Sequence, residues 1–287
     1  MTTRSPADHP KPNNILRACT NRRSLNPMSS ASIRTLIKIL EQSQRIVCFT
    51  GAGISTESGI PDFRSPGTGL WHKIKPIPFQ DFINSEAARR LSWQQKFSGR
   101  LGFETALPNR GHRYLADLVN TGKCTAIITQ NVDNLHQNSG VPENQVIELH
   151  GNTSYATCLN CKHRYELTDL RKQFEMFKQI PPCQNCGGII KTATISFGQS
   201  MPKIAMARAE AAITQCDLCL VLGSSLSVHP AADFPAYAKQ LGAKLAIINR
   251  EATPLDHLAD VVISAEIGSI TAELAAAASA SDKIQDN

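Results

Sequence analysis

Short β-branched and aromatic runs alternate with helical patterns along most of this chain, and that alternation limits the folds open to it more than any other feature. The run RIVCFT at 45–50 ends at a glycine, and similar runs stand at 125–129, 146–149, 192–197, 217–222, 244–248 and 261–263. Helical patterns fall between many of them, near 110–121, 202–215, 230–240 and 267–279. Strands that are apolar throughout, not alternating, are those buried on both faces, and crossover helices supply that cover. The expected fold is therefore α/β, a doubly wound parallel sheet. Ile33, Leu36, Ile37 and Leu40 precede the first run at helical spacing, with Ser32 in the N-cap position.

Two segments break the rhythm. Residues 67–108 hold Pro76, Pro78 and Pro108 around a helical stretch near 80–97, and residues 153–191 carry four paired cysteines with little apolar pattern. Both read as insertions that together form a smaller second domain. The expected division is a basic disordered tail at 1–30, a sheet domain from 31–66, 109–152 and 192–287, a helical insertion at 67–108 and a cysteine-bearing insertion at 153–191. The tail is Pro-containing and holds five of the chain's 30 Lys and Arg residues against one acid. The formal charge of +6 is thus concentrated there, and the rest shows no basic stripe of the kind that holds nucleic acid. No run approaches the ~18 apolar residues of a membrane span. Neither a membrane nor direct nucleic-acid partner is expected.

Cys158-x2-Cys161 and Cys183-x2-Cys186, separated by 21 residues, have the spacing of a zinc ribbon. Four thiolates fill a tetrahedral sphere and leave no place for a catalytic water, so the zinc is expected to be structural. Such sites supply roughly 10–16 kcal/mol. A redox pair would open a helix after a strand, which neither pair does. Cys216 and Cys219 form a third Cys-x-x-Cys, but it enters an apolar strand and reads as a helix end and core packing. With nine cysteines, an odd number, bound metal and a reducing compartment fit better than a disulfide framework.

Gly51-Ala52-Gly53 follows the first strand directly. Glycines there permit a tight turn and close approach, and amides at such a turn cradle a pyrophosphate in dinucleotide folds. Thr56 stands where the third glycine of the usual fingerprint would be, so a purely structural turn is the alternative. The continuation is more specific. GAGISTESGIPDFRS at 51–65, GLW at 69–71, TQNVDNLH at 129–136, HG at 150–151, SFG at 196–198, GSSL at 223–226 and NRE at 249–251 together resemble the sirtuin family of NAD-dependent protein deacylases. The likeness runs in order from about residue 31 to the C-terminus and is closest to the class II, mitochondrial and bacterial, branch.

That resemblance implies a Rossmann-like sheet domain with a zinc-ribbon lobe. It also implies an enzyme that consumes NAD+, deacylates protein lysines and releases nicotinamide and O-acyl-ADP-ribose. His150 matches the family's general base for a ribose hydroxyl, a task that suits neutral imidazole. By the same likeness Asn131 organises the ribose and a water, Asp133 accepts from the nicotinamide carboxamide, and Gln130 and Val132 belong to their loop. Asp62, Phe63, Arg64 and Trp71 belong to the segment that closes over NAD, Phe63 shielding the reacting carbon. Gly51, Ala52, Gly53, Thr56, Gly223, Ser224 and Ser225 hold phosphate and ribose, while Asn249, Arg250, Glu251 and Ile267 take the adenosine end. His136 reads as structural. The acyl-lysine peptide is expected as an extended strand against Phe197, Gly198 and Val228. Desuccinylating relatives place Tyr and Arg three apart on a small-domain helix, where this chain has Ser92 and Gln95, so neutral acyl groups are expected. The competing readings are a protein mono-ADP-ribosyltransferase using the same NAD site and a catalytically quiet NAD- and zinc-binding module. The expected location is cytoplasmic for a bacterial chain, or else the mitochondrial matrix.

Overall fold

The computed structural model describes residues 27–63, 69, 75–99 and 102–285. Arg64, Trp71 and residues 1–26 of the expected tail lie outside the described residues. Helix α1 (Pro27–Gln42) leads into β1 (Ile46–Thr50), and β2 (Cys124–Thr129), β3 (Val146–Glu148), β7 (Leu218–Leu222), β8 (Lys244–Ile248) and β9 (Val261–Ile263) complete a six-stranded sheet. Its order is β3-β2-β1-β7-β8-β9 and every pairing is parallel.

The two faces of β1 feed separate cores, as the two-residue period of a strand requires. Ile46 and Cys48 join Leu36, Leu115, Val119, Ile270 and Leu274, under α1, α4 (Arg110–Asn120) and α9 (Ile267–Gln285). Val47 and Phe49 join Ala209, Ile213, Phe234 and Ala238, under α7 (Lys203–Gln215) and α8 (Asp233–Gln240). Helices on both faces explain why β1 and β7 are buried at every position and read as continuous apolar runs.

The small lobe has its own sheet, β5-β4-β6, in which β4 (Gly151–Cys158) pairs antiparallel with β5 (Arg164–Glu166) and with β6 (Ile190–Thr194). Here the structure corrects the expectation that 192–197 adds a parallel strand to the main sheet. A β-branched run announces a strand but carries no information on its partner or direction. Helix α6 (Leu167–Phe177) and α3 (Glu86–Phe97) close over this sheet, where Trp93 packs with Ala156, Cys158, Leu170, Cys183 and Ile190.

Two helix boundaries also differ from expectation. Residues 27–30, assigned to the tail, are the first turn of α1, and Ser32 sits inside the helix instead of capping it. Proline suits a first helical position because its φ is already set and its missing N–H would have no partner there. The single helix near 80–97 is two: α2 (Phe79–Asn84) stops before Ser85, which turns extended and caps α3 by accepting from the Ala88 amide at 3.2 Å.

Candidate active site

The strand order reverses between β1 and β7, and the crevice beyond their carboxyl ends is where open α/β sheets bind ligands. Gly51 follows β1 and Gly223 follows β7, and the two turns touch. The Gly53 amide donates to the Gly223 carbonyl at 2.8 Å, and the Gly51 amide to the Leu222 carbonyl at 3.2 Å. A Cβ on Gly53 would stand 2.7 Å from the Gly223 Cα, and Gly223 itself has φ +64. These glycines are therefore required by turn-to-turn contact. The amides of Gly51, Gly53 and Gly223 are each spent on a protein carbonyl.

A cleft of about 530 Å³ opens from this junction between the main sheet and the small lobe, within the range of ordinary ligand pockets. It is lined by Gly51, Ala52, Gly53, Thr56, Asp62, Phe63, Gln130, Asn131, Val132, His150, Gly223, Ser224, Ser225, Asn249, Arg250, Glu251 and Ile267 of the expected cofactor and catalytic set. Phe197, Gly198 and Val228, expected at the peptide, line it too. Residues as far apart as Gly51 and Ile267 are thus brought to one space by the ends of β1, β2, β7, β8 and β9.

His150 lies between β3 and β4, and its Nδ1 is 3.0 Å from the Gln130 carbonyl. A carbonyl only accepts, so Nδ1 carries the hydrogen and Nε2 keeps its lone pair. Burial draws the histidine below its ordinary pKa, against the raising effect of the Gln130 carbonyl. The ring is therefore neutral near pH 7. Its own carbonyl accepts from the Ile195 amide at 2.8 Å, while the Val132 carbonyl accepts from Thr153 at 2.8 Å, lacing the two loops together.

Asn131 is fixed from below. Its amide donates to Thr129 Oγ1, and its Nδ2 donates to the Gly51 carbonyl and to Ser55 Oγ, both at 3.1 Å. Oδ1 has no protein partner among the described residues. Gln130 Nε2 donates to Ser224 Oγ at 2.9 Å, tying the β2 loop to the β7 turn.

Asp133 does not line the cleft, contrary to expectation. Its carboxylate is turned inward, accepting from Ser55 Oγ at 2.7 Å and from the Leu135 amide at 3.0 Å. Burial pushes its pKa up, opposed by those same hydrogen bonds. Behind it lies a buried polar layer that sequence reasoning missed, apart from His136. Ser55 Oγ approaches His112 Nε2 at 3.5 Å, the His112 and His136 rings lie tilted with centroids 5.1 Å apart, and His136 Nε2 meets Thr50 Oγ1 at 2.9 Å. Burial takes His112 down to about 4 and His136 well below its ordinary value. His112 also accepts from the Asn109 amide, completing a capping box at the start of α4, a signal the sequence did contain. At the far end, Arg250 reaches Asp62 at 3.4 Å and Glu266 at 3.7 Å.

Cys158, Cys161, Cys183 and Cys186 bring their sulfurs within 4.8 Å of one another. Tetrahedral zinc with Zn–S of about 2.3 Å spaces its sulfurs about 3.8 Å apart. The Cys158–Cys186 and Cys161–Cys183 separations of 3.5 and 3.6 Å fit that set. Gly188 lets the chain close on it, since a Cβ there would lie 2.8 Å from the Cys158 sulfur. Cys219 is buried in β7 and Cys216 ends α7, so the third pair is not part of the cluster.

A cleft at a switch point of this topology is where dinucleotides are held, and it places the chain among the dinucleotide-binding α/β proteins that carry a thiolate metal lobe. Residues 51–230 match the Sir2 family, and the chain belongs to that family. It is 53% identical over 242 residues to the NAD-dependent protein deacetylase of Rhodopseudomonas palustris, covering 84% of this chain and 95% of the relative. It is 51% identical over 238 residues to NAD-dependent protein deacetylase 1 of Bradyrhizobium diazoefficiens, covering 83% and 93%. Among solved structures, Sir2 with a p53 peptide and NAD+ superposes with a TM-score of 0.76 at 33% identity, covering 84% of this chain and 96% of that one.

Proposed function

We propose that this chain is an NAD-dependent protein-lysine deacetylase that uses His150 as its general base, with one structural zinc. The observation that carries the reading is the committed tautomer of His150, neutral and with Nε2 unspent, in the same cleft as the paired glycine turns. The relatives' printed activity supports it. Bound NAD+ supplies an anomeric carbon that becomes electrophilic as nicotinamide departs. Nε2 of His150 takes the proton of a ribose hydroxyl, and the Gln130 carbonyl steadies the imidazolium that results. Asn131 Oδ1 accepts from the ribose or a water, and Phe63 keeps bulk water from the reacting centre. Asp133 holds Ser55, and through it Asn131, in place.

The Ser196–Gln199 and Ser225–Val228 loops face the cleft through Phe197, Gly198 and Val228. An acyl-lysine peptide laid between them pairs by its main chain. Zinc-bound thiolates and NAD chemistry favour a cytoplasmic, reducing setting. Among the described residues no helix is long and apolar enough to cross a membrane.

The test is nicotinamide release from NAD+ with acetyl-lysine peptide, comparing wild type with His150→Ala and measuring NAD+ affinity alongside. Peptide-dependent release that falls at least ~100-fold in the variant, with NAD+ still bound, is the expected result. Transfer of ADP-ribose to protein without peptide deacetylation would replace this reading with that of a mono-ADP-ribosyltransferase.

A further inference from the structure

The cysteine cluster has a protein contact that its four sulfurs do not account for. Tyr165 stands in the middle of β5, opposite Ala156 of β4, and its hydroxyl lies 3.0 Å from the Cys183 sulfur. The Gln184 amide donates to the same phenol oxygen at 3.3 Å. An amide can only donate, so the oxygen accepts there and turns its own hydrogen to the sulfur. With zinc bound, Cys183 is a thiolate and can only accept. The direction of the bond is thus set from both sides.

The four sulfurs are not alike. Cys161 and Cys186 are exposed, whereas Cys158 and Cys183 are buried. Four thiolates outweigh the charge of one zinc ion, so the cluster stays negative, and a buried negative sulfur is costly unless donors meet it. Cys158 takes the amides of Asn160 and Cys161, and Cys183 those of Asn185 and Cys186. Cys183 has the phenol as well, the only side chain other than cysteine that donates to a cluster sulfur among the described residues. The Tyr165 ring packs against the apolar cluster of Trp93, Ala156 and Leu170 and meets His163 edge-on at 4.9 Å, which fixes where the hydroxyl points.

We propose that Tyr165 is a positioning residue for the metal: its phenol holds the Cys183 thiolate on the zinc and so sets how firmly the small lobe keeps the ion. Hydrogen-bond partners of metal ligands commonly carry a factor of about 10–100 in metal affinity. Cys183 also packs on Trp93 of α3, whose neighbours Ser92 and Gln95 line the cleft, so the grip on this one sulfur bears on the cleft wall. The proposal rests on the structural-zinc reading.

The experiment compares the zinc-loaded full chain with Tyr165→Phe, which keeps the ring and removes the donor. Zinc affinity is read by competition with a chromophoric chelator. Iodoacetamide labelling of the loaded proteins is mapped to individual cysteines by mass spectrometry. Affinity is expected to fall about tenfold or more in the variant. Cys183 should label faster relative to Cys158 than in wild type, because a thiolate deprived of its donor is the better nucleophile. Affinity within about twofold of wild type, or labelling that rises alike at all four sulfurs, overturns the proposal. His163→Ala separates hydrogen bonding from packing, since it removes the edge-on neighbour and leaves the phenol in place. An equal loss of zinc in that variant also overturns it. A wild-type chain that binds no zinc would strike the zinc reading itself, and the proposal with it.

Discussion

Acid should weaken this fold through His112 more than through its exposed histidines. His112 is fully enclosed, and burial carries it from 6.5 down to about 4, with Arg113 adding to the effect. The unfolded chain binds a proton there near pH 6.5, whereas the folded protein resists until about pH 4. Between those values the unfolded state holds more protons, so stability is complete above pH 6.5 and is lost as pH falls. A gap of about 2.5 units corresponds to about 3 kcal/mol by pH 4. The control is His112→Gln, since glutamine at this third helical position keeps the capping box but does not titrate. Urea unfolding of both proteins at pH 7 and pH 4 gives the comparison. Loss of zinc in acid is common to both and cancels in the difference. Wild type should lose about 3 kcal/mol more than the variant over this interval. A difference below about 1 kcal/mol, or one of opposite sign, would show that the ring is not held neutral by enclosure.

Other outcomes follow from the same geometry. Gly53→Ala forces a methyl against the Gly223 backbone, and a loss of about 1–3 kcal/mol with weakened NAD+ binding is expected by denaturant titration and calorimetry. For the deacetylation reaction, kcat/KM should rise through an apparent pKa below 6.5 and be flat above it, because the base is depressed by burial. An inflection above pH 7 would remove His150 from the role. Chelation of the metal should expose Trp93, packed against Cys158 and Cys183, giving a red-shifted fluorescence with release of one zinc per chain; unchanged emission after full zinc release would contradict the packing.

The main sheet was legible because its strands are buried on both faces and so announce themselves as apolar runs. β8 and β9 fall at the expected residues, and β1, β2 and β7 differ by a residue at most. The small sheet was not legible for the same reason reversed. β4 is made of GNTSYATC, polar and small, and it is a strand because β5 and β6 pair with it, not because its composition demands one. The cysteine cluster needed only spacing. Most of the expected site residues do meet in one cleft, since they follow strand ends that the topology gathers. Asp133 does not, because Ser55 and the Leu135 amide claim its oxygens from within. Pairwise choices of that sort between neighbouring polar groups leave no periodic trace.

Glu148 ends the third strand of the parallel sheet and Gly151 begins the first strand of the antiparallel one, so just Leu149 and His150 span the joint. Gly151 has φ +74, and a side chain there would meet the Ala193 carbonyl at 2.0 Å, so the bend admits little else. The imidazole thus belongs to neither lobe. It rides on the elbow where they meet, and any swing of the cysteine-bearing half about that elbow is at once a change in what the base can reach.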